Sequence, residues 1–409
     1  MSTTSFYRMV MSVAGNRDRE LAKRLFCALL GFLWGKPSAS AQCADRPTGR
    51  RPAQRHWPSV LAPIAVVACL AAAAVLSYRT NTRDRRLATL DYHTSRENWP
   101  EVIAASNHLT TADFNSLTRY EVNLALHEMN RLGDEMFSFP QSGSALLGLH
   151  TEVFLPYMLR VTDLFLRLGR INDAEHFGNE SIILGQSSRF GEPDPRVFRL
   201  MANLSLVKGQ TGAARKFLTI LSDEAGSARW ARRRLRELND DPQLAADESV
   251  QLLRRRMLRN DDVIPVWQNP DKPDADVNRL LLDQLEQDPS NRMAFEFLMG
   301  NYLLARDLLS ARALMPRIRH MTGPAYERPD GKRRTPRHYQ ESMAMYGDGA
   351  GKPVDLEGLE IEPGTLSRMA VFKRLMSQSA GRDAAMQAAW SGFHDSYFFY
   401  YVFGPGDYR

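Results

Sequence analysis

The longest apolar stretch of the chain runs from Pro58 to Tyr78 and contains no charged residue. At a rise of about 1.5 Å per residue, roughly 20 apolar residues span the hydrocarbon core of a bilayer. Trp57 and Tyr78 stand at its ends, where amphipathic rings favour the membrane interface. The pattern predicts one transmembrane helix over residues 57–79, with residues 58–78 in contact with the membrane.

Two other interpretations of this stretch are a buried core helix and a late-starting signal peptide. Core helices are rarely so long and so uniformly apolar, and the basic region before the stretch is longer than a usual signal-peptide n-region. Arginines flank both ends, so the positive-inside rule gives almost a tie. The further basic residues near the N-terminus favour a cytoplasmic N-terminus and an extracytoplasmic soluble domain.

After residue 80 the apolar residues recur at helical spacing, and two blocks match one another. In each block an apolar helix ends at a glycine, an alanine follows five positions later, and a phenylalanine follows three after that. The matching residues are Gly169, Ala174 and Phe177 in the first block, and Gly209, Ala214 and Phe217 in the second. A left-handed glycine would end the first helix, the alanine would let the second helix approach, and the aromatic would fill the groove. The pattern therefore predicts αα-hairpins.

Weaker copies of this unit flank the two blocks. Their predicted features are a turn at Glu97–Asn98, a turn at Gly133, a start at Asp288–Asn291 with a turn at Arg306–Asp307 and a small Ala311, and a final helix pair turning at Gly381. The two block glycines are 40 residues apart, and the tetratricopeptide repeat, which these units resemble, has a period of about 34. We therefore predict an all-α fold: a single N-terminal transmembrane helix followed by a tetratricopeptide-like αα-hairpin solenoid.

The same pattern divides the chain into five parts. They are a basic, largely disordered segment (1–56), the transmembrane helix (57–79), a helical repeat region (80–264), a further repeat pair after a Pro-rich connector (265–321), and a loop-rich C-terminal region with a final helix pair and an aromatic tail (322–409). The tail contains five consecutive aromatic residues from Tyr397 to Tyr401. Five in a row cannot all face one core from a single helix, so we expect them to dock across the last repeats and to meet a second surface.

The formal net charge is +6, and arginine supplies most of it. Basic clusters at 229–236 and 254–259 raise the possibility of nucleic-acid binding. Asp240, Asp241, Asp247 and Glu248 lie between the clusters. A solvated helical surface is therefore the favoured interpretation, and anionic lipid is another partner for such a surface. The three cysteines all lie in the first 70 residues, which excludes a disulfide framework or thiolate metal site from the bulk of the protein.

Motifs that would carry chemistry are scarce. The sequence contains no HExxH, CxxC or GxSxG motif. The stretch from Gly347 to Pro353 lacks the glycine spacing and the Ser/Thr of a phosphate-binding loop, and we place it in a loop without a preceding strand. The sequence therefore predicts no cofactor, no metal site and no catalytic residue, and an enzyme is the less favoured class.

One segment stands apart as a candidate contact for a ligand or partner. Pro336 would begin a helix, and the residues that follow it are Arg337, His338, Tyr339, Gln340 and Glu341. His338 is equally compatible with a capping or packing role and with a ligand contact. A catalytic role is less favoured because the sequence names no partner for it.

Several segments together resemble an uncharacterised bacterial family of membrane proteins with a C-terminal tetratricopeptide-like region. They are NLALHEMNRLGDEMFSFPQ (123–141), the repeat around Gly169, PRHYQES (336–342) and the aromatic tail. The resemblance covers most of residues 85–403. It implies a helical fold and a bacterial inner-membrane location, and it implies no activity. Members often carry several membrane helices, whereas this chain shows one.

The leading functional hypothesis is a single-pass, membrane-anchored, non-catalytic scaffold that binds an unknown protein or peptide. One alternative is an envelope enzyme or carbohydrate-binding protein that uses the loop around His338. Another is a membrane-tethered nucleic-acid binder that uses the Arg-rich helices, which is the least favoured of the three.

Overall fold

The structure is a computed structural model that describes residues 82–143, 155–186, 194–258, 273–351 and 359–404. The predicted transmembrane helix, the basic N-terminal segment and most of the Pro-rich connector lie outside these residues. Within the described part of the chain, no helix combines the length and apolar character needed to cross a bilayer. Residue contacts divide the chain after Arg86, and the unit Leu87–Arg409 contains all the described helices except the start of the first.

The described residues form α-helices, three short 3-10 helices and one isolated bridge, and they include no β-strand. The α-helices are α1 (Thr82–Ser95), α2 (Trp99–Ser106), α3 (Ser116–Glu128), α4 (Leu132–Glu135), α5 (Leu155–Leu168), α6 (Ile171–Gln186), α7 (Pro195–Val207), α8 (Thr211–Ser222), α9 (Ala228–Asp240), α10 (Glu248–Arg256), α11 (Pro273–Gln287), α12 (Arg292–Leu304), α13 (Leu308–Leu314), α14 (Arg337–Ala350), α15 (Pro363–Gln378), α16 (Arg382–Phe393) and α17 (Tyr397–Phe403). The 3-10 helices are Thr111–Asp113, Met136–Ser138 and Met315–His320. The predicted all-α class is confirmed.

The two matching blocks form helix pairs, α5 with α6 and α7 with α8. Gly169 and Gly209 adopt left-handed backbone angles, with φ of 89° and 71°. Ala174 and Ala214 are fully buried where the second helix of each pair meets the first. The residues of the repeated pattern therefore have the local roles that their spacing predicts.

The phenylalanines of both blocks pack against an aromatic ring of the first helix. Phe177 stacks on Phe165 with ring centroids 5.5 Å apart, and Phe217 stacks on Phe198 at 6.1 Å. The aromatic residue therefore joins the two helices of its own pair, as a groove-filling side chain should.

The flanking turns fit the prediction except at one position. Glu97, Arg306 and Gly381 have positive φ, as expected for residues that end one helix and allow the next. The predicted turn at Gly133 is wrong, because Asn130 takes the left-handed conformation (φ 59°) and Gly133 lies within α4. Asparagine tolerates this conformation better than most residues, and sequence spacing did not distinguish the two.

Gly133 is needed for close packing. A Cβ added there would lie 2.6 Å from Cβ of Pro336, the residue that precedes α14.

A second correction concerns the stretch from Gly347, which was expected in a loop. Its first four residues complete α14, and Gly351 caps the helix in the left-handed conformation.

Side chains from neighbouring elements cap many helix C-termini, whose last carbonyls have no intrahelical donor. The guanidinium of Arg254 donates to the carbonyls of Leu206 (2.8 Å) and Val207 (3.1 Å) at the end of α7. The same arrangement occurs between Arg292 and His127 O, Arg317 and Leu285 O, Arg382 and Phe403 O, Asn291 and Leu168 O, and Tyr400 and Leu304 O. Part of the arginine excess therefore joins helices to one another.

The aromatic tail forms α17, and its residues divide between two clusters. Tyr397 and Tyr400 belong to the main hydrophobic core. Phe398, Phe399 and Phe403 join a smaller cluster built with α15 and α16. The helix therefore lies between two apolar surfaces, which is how it buries nearly all of a run that one surface could not accommodate.

Candidate functional site

The predicted contact segment lies at the start of α14. Pro336 occupies the position before the helix, and the Asp134 side chain accepts a hydrogen bond from the Arg337 backbone N–H at 2.8 Å. A carboxylate at this point satisfies a free N–H and favours the positive end of the helix dipole. The four residues after Arg337 are between 0 and 4% exposed, so the segment lies inside the protein.

Arg337 connects the segment to the C-terminal helix. Its guanidinium donates to both carboxylate oxygens of Asp395, at 2.9 and 3.0 Å, and to Glu341 at 2.9 Å. The other Glu341 oxygen accepts from the Tyr397 backbone N–H at 2.7 Å. These hydrogen bonds from Arg337 hold the pKa of Asp395 below its usual value, whereas burial raises the pKa of Glu341. We call Arg337, Glu341 and Asp395 the Arg337 clasp, because they join α14 to α17.

His338 is fully buried beside the clasp. Its Nε2 lies 3.2 Å from the Asp395 carbonyl oxygen, and its ring meets that of Phe137 edge-on at 4.9 Å. The buried Nδ1 has no hydrogen-bond partner among the described residues. Burial lowers the pKa of His338 to about 3, so the ring is neutral near pH 7. This environment fits the packing role.

Gln340 connects the same helix start to α15. Its amide donates to the Thr335 carbonyl at 2.8 Å, and its oxygen accepts from the Glu362 backbone N–H and the Thr365 hydroxyl, at 2.8 and 3.1 Å. Arg337, His338 and Glu341 therefore all reach the residues at the start of α17, whereas Gln340 reaches the start of α15.

A second polar cluster lies next to this segment, and sequence reasoning missed it. Glu296 of α12 accepts from the Tyr326 hydroxyl at 2.8 Å, and its other oxygen lies 2.5 Å from Nδ1 of His127. All three side chains are between 0 and 5% exposed. We call His127, Glu296 and Tyr326 the Glu296 cluster. Tyr339 lies beside it, packed edge-on against Phe295 at 6.1 Å.

The cluster has the groups of an acid–base site but no route to solvent through its own side chains. Burial, followed by the negative charge of Glu296, raises the pKa values of Tyr326 and Tyr339 well above their usual range. The Tyr326 hydroxyl is therefore protonated and serves as a donor. A sequence signal did exist: Glu296 is the one charged residue within the apolar stretch MAFEFLM. Its partner His127 lies 169 residues away, so spacing could not pair them.

A third polar network joins α1, α3, α5 and α7, and Arg160 and Glu121 are its buried members. Arg160 donates to Glu121 at 2.8 Å and to Asp91 at 2.6 Å, and Arg196 reaches the other Asp91 oxygen at 2.9 Å. Burial raises the pKa of Glu121 to about 7, although Arg160 favours the ionised form. A buried charge needs a partner of this kind, and removing one partner of such a pair is strongly destabilising.

The two basic clusters divide between structural and exposed positions. Arg234 pairs with Asp247 at 2.5 Å, and Arg256 pairs with Asp288 at 3.0 Å. Four other arginines of α9 are exposed. In the part of the chain that the structure describes, no three acidic, histidine or cysteine side chains are grouped as metal ligands would be.

Comparison with known proteins identifies a family. No curated protein and no solved structure matches the chain. A family model described as a family of unknown function (DUF6057) matches residues 20–404. That range includes the repeated hairpins, the Arg337 clasp and the Glu296 cluster, and it agrees with the resemblance to an uncharacterised family. On this match, which spans nearly the whole sequence, the chain belongs to the DUF6057 family of unknown function.

Proposed function

We propose that the protein is a membrane-anchored, non-catalytic scaffold whose helical-repeat region binds a protein or peptide. Residues 58–78 would form the anchor, and the helix pairs would form a tetratricopeptide-like solenoid. The observation that carries the proposal is a separation: the Glu296 cluster and His338 are buried, while α15 and α16 expose apolar side chains.

The buried clusters support a structural role for the groups that could otherwise perform chemistry. A substrate must come within hydrogen-bond reach of a general acid or base. His127, Glu296 and His338 are each at most 5% exposed; His127 Nδ1 pairs with Glu296, and His338 Nε2 lies against the Asp395 carbonyl oxygen. This weighs against an envelope enzyme or carbohydrate-binding protein that uses His338.

The pair formed by α15 and α16 supports a partner surface. Leu366 and Val371 are each 49% exposed, and Trp390 is 39% exposed. Scattered apolar residues on a protein surface are normal, but here they occur on a pair that buries few of its own residues. Aromatic residues are also enriched at protein interfaces.

Site-specific photo-crosslinking in cells tests the proposal. A photoreactive amino acid replaces Leu366, Val371 or Trp390, and Leu309 of α13, which is 65% exposed, is the matched control. We expect a discrete crosslinked protein from the three test positions and none from position 309. The scaffold hypothesis fails at this surface if no position crosslinks, or if all four crosslink alike.

Two measurements test the membrane part. Full-length protein should stay in the pellet after alkaline carbonate extraction, and deletion of residues 57–79 should release it. A reporter enzyme that is active only outside the cytoplasm is fused to the C-terminus. It should be active if the helical region is exported. Complete release of the full-length chain by carbonate would contradict the anchor.

A further inference from the structure

Four arginines form one exposed row on α9. Arg229, Arg232, Arg233 and Arg236 follow the i, i+3, i+4, i+7 spacing that places residues on one side of a helix. All four are exposed, and the Arg233 side chain keeps 62% of its surface in solvent. We call these residues the arginine row.

The packing of α9 fixes the direction of the row. Ala231 and Leu238 are fully buried on the other side of the helix, where Ala231 joins a cluster with α7 and α8. Trp230 packs beneath the Arg199 guanidinium, 4.8 Å from the ring centroid. The row therefore points away from the protein because the opposite face is held by apolar contacts.

The ion pairs of α9 leave most of the row without a carboxylate partner. Asp247 and Glu237 lie 2.5 and 2.9 Å from Arg234, which is on a different side of α9. Glu237 approaches Arg233 only to 3.6 Å. Arg229 and Arg236 have no ion pair among the described residues. Four arginines can also face water alone. The residues around the row therefore have to indicate whether it binds a partner.

An apolar residue accompanies the row. Arg232 donates to the Ser222 carbonyl at 3.0 Å, which places the last turn of α8 beside α9. Ile220 in that turn is 47% exposed. Basic residues next to an exposed aliphatic side chain are typical of segments that lie on an anionic bilayer. Nucleic-acid surfaces instead combine basic residues with exposed aromatics, and Trp230 already packs on Arg199.

We propose that the arginine row binds the anionic headgroups of a bilayer, with Ile220 entering the interface beside it. The inference rests on the proposed membrane location and adds a second, electrostatic contact on the helical region. Near an anionic leaflet each arginine strengthens attachment by about five-fold, so four together change it by on the order of a hundred-fold or more.

A fluorescent probe at Gly226 tests this contact in the full chain. Gly226 lies three residues before Arg229, and a Cβ added there would have no atom within 4 Å. With Cys27, Cys43 and Cys69 replaced by serine, Gly226→Cys carries one NBD label. The protein is reconstituted in nanodiscs of phosphatidylcholine alone, or with about a third phosphatidylglycerol.

We expect NBD emission to shift to the blue only in the anionic discs, and added salt to reverse it because headgroup attraction is screened. Replacing the four arginines of the row by glutamine should lower the docked-to-undocked ratio on the order of a hundred-fold. The control replaces four exposed basic residues elsewhere, Arg255, Arg319, Lys332 and Arg374, and should keep the shift. Unchanged helical content and melting of both variants show that they fold.

Three results would overturn the inference. The first is equal emission in neutral and anionic discs, which would indicate a solvated row. The second is an equal loss in the row and control variants, which would indicate an effect of net charge alone. The third is row-dependent binding of a 30-nucleotide single strand without any lipid effect. Carbonate extraction tests the anchor separately. If carbonate releases the full chain, flotation of that chain with anionic vesicles still tests the row.

Discussion

Helices α12 and α15 show two opposite uses of an apolar helix. In α12, 11 of 13 residues are buried, including the charged Glu296. In α15, only Met369 and Phe372 are buried among 16 residues. The interior helix carries polar groups that other elements satisfy, and the peripheral helix carries apolar groups that solvent meets. In these two helices the buried charged residue is bonded by other protein groups, whereas the exposed apolar residues are left where a partner can reach them.

The largest effect should come from the aromatic centre of the interior. Phe137 is buried against the rings of His338, Tyr397 and Tyr400. Phe137→Ala should lower the free energy of unfolding by about 4 kcal/mol, since it removes buried surface and leaves a cavity. Trp390→Ala in α16 should cost less than Phe137→Ala, because Trp390 is already 39% exposed. Denaturant unfolding of the full chain measures both variants. Equal losses of stability would contradict the contrast between the interior and the periphery.

The next effect concerns the Glu296 cluster. Glu296→Ala leaves the Tyr326 hydroxyl and the His127 ring nitrogen without their buried acceptor, so we expect a loss of about 3 kcal/mol. The exposed Glu360 supplies the control, and Glu360→Ala should change stability by less than about 0.5 kcal/mol. If Glu296→Ala left the stability unchanged, the cluster would serve something other than folding.

Two buried groups should give opposite pH dependence. The pKa of His338 is lowered to about 3, so its contribution is complete above its unfolded value of 6.5 and is lost as pH falls. The pKa of Glu121 is raised to about 7, so its contribution is complete below 4.5 and is lost as pH rises. Between pH 5 and pH 7 each group changes the free energy of unfolding by about 2 kcal/mol, because a shift of one pKa unit corresponds to about 1.4 kcal/mol.

Single variants should separate these two slopes. Relative to the wild type, His338→Gln should lose stability as pH rises from 5 to 7, since only the Glu121 contribution is left. Glu121→Gln should gain stability over the same range. Thermal or denaturant unfolding at several pH values measures both variants. Identical slopes in the two variants would contradict the assignment.

The smallest expected change in stability is at the periphery. Leu366→Ser should alter the free energy of unfolding by less than about 0.5 kcal/mol, because the side chain is already half exposed. The same variant should weaken partner crosslinking from position 371 if the proposed surface is correct. A large loss of stability would show that α15 packs more tightly than its exposure indicates.

Local features of the fold could be predicted because short-range sequence determines them. Gly169 and Gly209 end helices, and Gly381 lies in the turn before α16, since glycine adopts positive φ at low cost. Ala174 and Ala214 are buried at the closest approach of paired helices. The wrong turn at Gly133 arises because glycine occurs both in turns and at close contacts between elements. Only the position of Pro336 in the fold shows that Gly133 is needed for a close contact.

The candidate site could be predicted only in part, since its contacts join residues far apart in sequence. The sequence singled out Arg337–Glu341 but could not pair Arg337 with Asp395, 58 residues away, or His127 with Glu296.

Helices, turns and the all-α class follow from the sequence alone, because backbone preference and apolar period act over a few residues. Long-range packing determines that His338 and Glu341 are buried while Leu366 and the arginine row face solvent. The physical reason is that burial depends on which helix covers which face. Helices of similar composition can therefore lie inside or outside the core, as α12 and α15 do.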